Sequence, residues 1–575
     1  MRRTQWISLC TVLFLAVIGA WLWWVRPKSV DMAKYAPADS LLYLEANRPS
    51  EVIDAVAGTQ AWKAFASVIE PSPSTPQSHW LRGFVAWTGI GPIKSVILAR
   101  AQVAVVVTDL RTVEEGDSLN IKSEGAFLIE THTSERRIKA TFEEILKELA
   151  EKTYGRPTSR RVTLDGIEYT EWIAPEGSRQ IVGAVIGSLV VIGTSEQVAQ
   201  NCLAVSQGRR ASLKDDPELH TMRLQLNRER SLTFGYVPSR NSAKLLAVGL
   251  PLLLGRAPGD SEFQRLITNG AAKVFGSLGW TSSAYLTGIE DRYLINLQPS
   301  IVARLKPNFD VSKISLPLQR VLPNDFYSLT CYKFANPAAT WMGLKTAVAS
   351  QVDALSAIVF STLLKSALRS YGIDDPEAFL GAVDGDLVTI RLDETGQRSM
   401  LIADVLDRAA LRQLITKQMS VNPRSPSQTA EIFEESTGEF AASLSDEFIA
   451  IGSPADVRRY SGAAEGSSPI GADNLRKMTF FASSPSSANV ITYTNDGERV
   501  RSFAQVIMSA KGGPTTTPEH LEEAIATLPY SSTETSLNDR GIERITRSPL
   551  GQFSTLVPLL FPQRAGVAND SSQSR

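Results

Sequence analysis

An internal duplication limits the folds that this chain can adopt, because short segments of its first half recur in the same order in its second half. In the best matched pair, residues 187–198 and 446–457, an apolar run ends in a glycine and is followed by a serine suited to a helix N-cap. Further pairs begin near residues 35 and 321, 89 and 372, 126 and 399, and 232 and 490. The chain is therefore predicted to contain two homologous units, the second shorter than the first.

The elements predicted within each unit favour an α+β fold. Strand-like runs follow one another through short polar turns, predicted at residues 165–166, 290–291 and 538–541, and regular alternation of strand and helix is absent. We predict an N-terminal transmembrane helix followed by two homologous units of antiparallel sheet, each with helices packed on one side. The units are placed at residues 35–315 and 320–562, and a polar tail at residues 565–575 is predicted to be disordered.

The amino-terminal residues 7–25 are 19 consecutive uncharged positions. As a helix they would measure about 28 Å, close to the hydrocarbon thickness of a bilayer. Tryptophans flank this run where indole rings favour the headgroup regions, at Trp6, Trp21, Trp23 and Trp24. Residues 1–28 are therefore predicted to form a cytoplasmic start and a single-pass signal anchor in the bacterial inner membrane, with the bulk of the chain extracytoplasmic, in the periplasm. A signal peptide cleaved near Ala20 is the alternative.

The composition excludes several classes of protein. Lys and Arg total 59 and Asp and Glu total 60, so no net field attracts a polyanion and no nucleic-acid partner is expected. Three cysteines cannot build a disulfide scaffold, and four histidines leave few ligands for a metal ion. No metal and no cofactor are predicted.

No catalytic, cofactor-binding or metal-binding residue is predicted, because each candidate has a structural explanation. The chain has no Gly-x-Ser-x-Gly nucleophile elbow and no phosphate-binding glycine loop. Asp384 and Asp386 flank a glycine in a predicted turn that enters a strand, with too few ligands for calcium. Cys202 and Cys331 would join the two units if they formed a disulfide, and two separate buried thiols are the other interpretation.

Three segments and the apolar amino terminus carry a resemblance to a known family. Residues 36–39 open a Leu-Tyr-Leu strand, residues 372–419 form a strand and helix, and residues 189–195 read Leu-Val-Val-Ile-Gly-Thr-Ser. Together they resemble a bacterial domain-of-unknown-function family of single-pass, membrane-anchored proteins with a large extracytoplasmic region. The resemblance covers most of the chain. It implies a localisation and a fold, and it implies no activity, ligand or catalytic residue.

The sequence thus predicts a membrane-anchored extracytoplasmic protein that serves the cell envelope as a non-enzymatic scaffold or binding module. In one version of this hypothesis it binds a lipid or another hydrophobic ligand. Its expected partners are the membrane, contacted through the N-terminal helix, and an envelope protein or a lipid. The alternative is an envelope hydrolase whose serine and carboxylate residues converge only in the fold.

Overall fold

The computed structural model describes most of the chain between residues 29 and 555. The described residues are 29–69, 101–115, 118–164, 166–177, 179–253, 261–309, 326–352, 357, 361–362, 364–365, 368–418, 422–424, 430–464, 472–481, 488–510 and 519–555. The predicted anchor at residues 1–28 and the predicted tail at residues 565–575 lie outside them.

In the part of the chain that the structure describes, twenty strands form one continuous antiparallel sheet. The strands of its first half are β1 (Leu42–Ala46), β2 (Gln102–Glu115), β3 (Ser118–Glu130), β4 (Thr158–Leu164), β5 (Ile167–Ile173), β6 (Gln180–Ile186), β7 (Leu189–Gly193), β8 (Thr233–Val237), β9 (Phe275–Tyr285) and β10 (Gly288–Leu297). Those of its second half are β11 (Ser328–Lys333), β12 (Val383–Arg391), β13 (Ser399–Val405), β14 (Asn422–Arg424), β15 (Glu431–Glu434), β16 (Ala441–Leu444), β17 (Phe448–Gly452), β18 (Val490–Thr494), β19 (Ser531–Leu537) and β20 (Gly541–Ser548).

The two halves of the sheet have the same strand order. From the outer edge inward, the first half runs β4-β5-β6-β7-β3-β2-β1-β8-β9-β10. The second half runs β14-β15-β16-β17-β13-β12-β11-β18-β19-β20. The halves meet where β10 pairs with β20, from Ile289 opposite Ser548 to Asn296 opposite Gly541, and we call this pairing the seam.

The described helices connect and cover the strands. Those of the first half are α1 (Pro49–Gly58), α2 (Gln60–Ile69), α3 (Glu135–Tyr154), α4 (Glu196–Ser206), α5 (Pro217–Gln225), α6 (Ser239–Leu253), α7 (Ser261–Val274) and α8 (Pro299–Leu305). Those of the second half are α9 (Pro337–Ala349), α10 (Pro376–Ala382), α11 (Arg408–Gln418), α12 (Pro454–Ala464), α13 (Ala472–Thr479), α14 (Gly497–Ala510) and α15 (Glu519–Ala526).

Two helix starts confirm the N-caps that the sequence predicts. The Ser195 hydroxyl accepts a hydrogen bond from the backbone N–H of Val198, at 3.4 Å, in the first turn of α4. In the second half the Ser453 hydroxyl accepts from the N–H of Asp456, at 3.2 Å, in the first turn of α12. Each bond satisfies a donor that the helix itself leaves unpaired.

The predicted fold class was wrong in the arrangement of the sheet and its helices. The units do not have separate sheets, because the edge strands β10 and β20 hydrogen-bond to each other. Helices also cover both faces. On β3, Leu128 packs in a core with α4, while its neighbour Ile129 points to the other face and packs with Ile138 and Phe142 of α3. Successive residues of a strand face opposite ways, so a strand that is apolar at every position needs cover on both sides.

The transmembrane helix included in that fold class is not seen. Among the residues that the structure describes, no helix is long and apolar enough to cross a membrane.

One predicted hairpin turn was also wrong. Glu290 and Asp291 lie within β10, and the turn between β9 and β10 is formed by Leu286 and Thr287. The turn predicted at residues 538–541 is confirmed between β19 and β20, where the Asn538 side chain accepts from the backbone N–H of Arg540 at 2.9 Å. β4 ends at Leu164, which pairs with Ile167 at the start of β5; residue 165 of the turn predicted at 165–166 lies outside the described residues.

Helices cross the seam in both directions. Ala61 of α2, in the first half, packs with Phe503 of α14 and Leu521 of α15, in the second. Reciprocally, Ala347 of α9, in the second half, packs with Ile301 of α8, in the first. These shared cores bury apolar side chains of both halves together, so neither half keeps a complete core on its own.

Candidate functional site

A groove of about 500 Å³ opens where helices of the two halves meet, and we call it the seam groove. Its lining includes Gln60 of α2, Arg476 and Lys477 of α13, Phe480 just after α13, and Ala526 and Pro529 at or after the end of α15. Because α2 belongs to the first half and α13 and α15 to the second, the groove exists only in the assembled chain. Its volume lies in the range of about 300–1,000 Å³ that is typical of small-molecule sites.

The groove is held in place by contacts of the hairpin between β9 and β10. The backbone N–H of Gln60 donates to the carbonyl of Thr287 in the hairpin turn, at 2.8 Å. At the next residue, Gly288, a Cβ atom would lie 2.8 Å from the ring of Phe481, so a side chain there would displace this ring. Phe481 is buried and supports Phe480 in an edge-to-face contact, with 4.9 Å between ring centroids. Phe480 is therefore positioned by a side chain of the core.

One wall of the groove is positively charged. Arg476 is exposed, and Lys477 donates from Nζ to the carbonyl of Ala526, the last residue of α15, at 2.8 Å. This bond fixes the ammonium group at the carboxyl end of a helix, where a cation is favoured. None of the described lining residues carries a carboxylate. Arg476 and Lys477 thus give this wall of the groove its positive charge.

Exposed apolar side chains lie in the segments that form or support the groove. Phe480 is 41 % exposed, and Leu475, on α13, is 50 % exposed. Leu286 is 72 % exposed at the hairpin turn, beside the Thr287 carbonyl that binds α2, and it has a positive φ of 48°. Single exposed apolar residues are ordinary on protein surfaces, but a concentration of them beside a groove is typical of an interaction site.

A buried charge network beside β1 has a structural role. The Glu45 side chain is 1 % exposed and accepts hydrogen bonds from Arg228 at 2.5 Å, from Arg223 at 3.3 Å and from the Tyr43 hydroxyl at 2.6 Å. Arg223 also donates twice to Asp31. Burial raises the pKa of Asp31, but the hydrogen bonds and charge of Arg223 outweigh it and hold this pKa below its usual value. Each charge is paired, so the network stabilises the fold.

Ser282, Asp291 and Gln552 form a buried polar cluster next to the seam. The Ser282 hydroxyl donates to Asp291 at 2.5 Å, the backbone N–H of Gln552 donates to the other Asp291 oxygen at 2.8 Å, and the Gln552 amide donates to Ser282. Burial raises the pKa of Asp291 to about 6. A hydrolytic triad needs a base that can take the serine proton and an opening for substrate. Ser282 is fully buried and none of its described partners is a histidine, so this cluster ties the carboxyl-terminal segment to the sheet.

The structure does not bring the residues that the sequence offered as site candidates together in one place. Asp384 and Asp386 lie in β12, which begins at Val383 and whose pairing with β13 is irregular up to Leu387, so the predicted turn at these positions was wrong. Within the described ranges, no group of three or more His, Cys, Asp or Glu side chains could hold a metal ion.

The two cysteines in the described structure are free thiols. Cys202 lies on α4 and Cys331 on β11, and burial raises the pKa of each to about 12. The structure therefore favours two separate thiols, Cys202 buried and Cys331 half-buried, over the disulfide that the sequence left open.

Sequence reasoning missed the seam groove because its residues are distant in the chain. Arg476, Lys477 and Phe480 are close together in sequence, but Gln60 lies in the other half. The sequence signal that was available is a pair of apolar residues, Leu475 and Phe480, on either side of two cations. Both are exposed, although Met478 and Phe481 in the same segment are buried. That pattern does not say which other segment completes a groove.

Comparison with protein-family models, with curated proteins and with solved structures finds no match to this chain. The resemblance to the single-pass family therefore stays a prediction.

Proposed function

We propose that this chain is a non-enzymatic binding module or scaffold that engages its partner in the seam groove. The observation that supports the proposal most is the groove itself, which combines a cationic wall with exposed apolar side chains and is built from both halves. The proposal includes a place in the cell envelope, supported by the apolar composition of residues 7–25. The alternative of a hydrolase gains no support from Ser282 and Asp291, because both are buried.

The chain offers a matched control for the groove. Phe480 follows the buried Met478 by two residues, at the end of the helix that precedes β18. In the first half, Leu224 follows the buried Met222 by two residues, on the helix that precedes β8, and it is 70 % exposed. Position 224 is therefore an exposed apolar position on the corresponding helix of the first half, and it lies outside the lining of the seam groove.

The test is photo-crosslinking of the full chain in its own cells, with benzoylphenylalanine placed at position 480 or at position 224. We expect position 480 to capture a defined protein or lipid in amounts comparable to the chain, and position 224 to capture little. Equal capture at both positions, or none at position 480, contradicts the proposal. The purified full chain is also assayed on ester, peptide and glycoside substrates, where turnover would support the hydrolase instead.

A further inference from the structure

We propose that the outer edge of β4 binds an extended, uncharged segment of another protein, which adds to the sheet as a further strand. Each half of the sheet has an inner and an outer edge strand. The inner edge strands, β10 and β20, pair with each other at the seam. In the described structure β4 pairs only with β5, and β14 pairs only with β15, so their other sides are the outer edges. This surface is separate from the seam groove.

The two outer edges are built differently. β14 has three residues, and Pro423 at its centre has no backbone N–H to offer to a neighbouring strand. β4 has seven residues and no proline, so another strand can pair along its whole length. Proteins commonly protect an exposed edge by keeping it short or by placing a proline in it. Of these two strands, only β14 is protected in this way.

Alternate residues of β4 present unpaired backbone groups at this edge. β4 and β5 are joined by a two-residue loop, and Leu164 pairs with Ile167, so these two residues exchange hydrogen bonds. The alternation of an antiparallel ladder then directs the N–H and C=O groups of Ser159, Arg161 and Thr163 away from β5. No described residue pairs with these groups. An extended main chain offers complementary donors and acceptors at the same spacing.

The charges of β4 are already matched, and this selects the side chains of the partner. Arg160 is paired with the buried Glu171, directly opposite on β5. Arg161 is paired with Glu143 of α3 at 3.2 Å and lies 3.6 Å from Glu168. A charged side chain on the incoming strand would have to compete with these ion pairs. Uncharged β-branched side chains do not compete, and they suit a pleated surface.

The same arginines argue against a second copy of this chain as the occupant. A two-fold antiparallel pairing of two β4 strands along their whole length is centred on Arg161. It would place Arg161 of one copy opposite Arg161 of the other, and like charges directly opposite each other destabilise a strand pair. An uncharged segment of a different protein avoids this repulsion.

The experiment uses the full chain and the peptide Ser-Val-Thr-Val-Thr-Val-Ser, with an amino-terminal fluorophore and a carboxyl-terminal benzoylphenylalanine amide. Fluorescence anisotropy measures binding, and photolysis followed by mass spectrometry locates the contact. Two control peptides have the same length. In one, two consecutive amides are N-methylated, which blocks both edges of the peptide strand. In the other, the central valine is replaced by aspartate.

We expect saturable binding of the parent peptide and labelling within residues 158–164. The N-methylated peptide should bind at least about tenfold more weakly, because it loses main-chain hydrogen bonds. The aspartate peptide should bind no more tightly than the parent. Arg161→Pro removes one outward N–H and leaves the ladder between β4 and β5 intact, so it should weaken binding about tenfold. Arg161→Ala, the matched control, keeps this N–H and should retain binding.

The outcomes that would overturn the proposal are distinct. Labelling outside β4, equal binding of the N-methylated peptide, or no saturable binding up to about 1 mM would each refute strand addition. Equal binding to Arg161→Pro and Arg161→Ala would do the same. If Arg161→Pro does not fold, the N-methylated peptide still decides, since it leaves the protein unchanged.

Two results would refute the class of partner. If the aspartate peptide binds at least about tenfold more tightly than the parent, the uncharged segment is wrong. If light scattering shows that the chain forms a dimer that Arg161→Pro dissociates, the occupant is a second copy.

Discussion

The buried carboxyl of Asp291 should make the stability of this protein depend on pH in the acidic range. The side chain is 2 % exposed, and burial raises its pKa from the usual 3.8 to about 6. Between these two values the folded chain keeps a proton that the unfolded chain has released. The free energy of unfolding therefore falls as the pH rises from about 4 to about 6, and it stays lower above that. At about 1.4 kcal/mol for each pKa unit, the total loss is about 3 kcal/mol.

Asp291→Asn removes this titration, because an amide carries no charge at any pH in the range. We expect the difference in unfolding free energy between Asp291→Asn and the wild type to move in favour of the variant by about 2.5 kcal/mol from pH 4 to pH 7. Any constant cost of the amide cancels in this comparison. The measurement is urea denaturation followed by circular dichroism and tryptophan fluorescence, repeated at half-unit intervals of pH.

Ser282→Ala is a second test of the same reasoning. The Ser282 hydroxyl donates to the carboxylate and so lowers the pKa of Asp291 against the effect of burial. Without it, the folded-state pKa rises further, and the upper end of the stability change should move above pH 6. If the difference in unfolding free energy between Asp291→Asn and the wild type stays constant from pH 4 to pH 7.5, the placement of Asp291 in a desolvated site is refuted.

Two further predictions test the buried charges and the shared core. Arg223→Ala should lower the free energy of unfolding by about 3–5 kcal/mol, because it leaves the buried Glu45 carboxylate without one of its cations. Its control is Arg48→Ala, which breaks the exposed ion pair with Glu51 and should cost less than about 1 kcal/mol. If urea denaturation shows equal losses of unfolding free energy for the two variants, burial does not have the role argued here. Phe503→Ala should cost about 3–5 kcal/mol, since this ring is 3 % exposed in the core shared by α2, α14 and α15. Because that core joins both halves, calorimetry of Phe503→Ala should show one transition at a lower temperature, and two separate transitions would show that the halves unfold independently.

Local patterns were readable from the sequence because they depend on near neighbours in the chain. The apolar run Leu189–Gly193 followed by Ser195 predicts a strand and a helix N-cap, and both are observed. The polar residues 538–541 predict a turn, which joins β19 to β20. The sequence also indicated that one order of elements occurs twice. In contrast, helices on both faces of the sheet were not predicted. Leu128 and Ile129 are adjacent apolar residues of β3 that face opposite ways, so they already required cover on both faces.

The candidate site could not be predicted, since it depends on contacts between distant residues. Gln60 and Phe480 reach one groove because α2 crosses the seam, and the hydrogen bond from Gln60 to Thr287 fixes its start. Nothing local to either segment encodes this meeting.

The sequence by itself determined the identity of the repeated elements, the caps and turns that begin and end them, and the near balance of charge that argues against a polyanionic partner. Only the tertiary structure decided that β10 and β20, the inner edge strands of the two halves, pair into one sheet and that helices exchange across this seam. The physical reason is that caps and turns are satisfied within a few residues of the chain. A strand edge or an apolar helix face is satisfied by whichever complementary surface the whole chain brings to it.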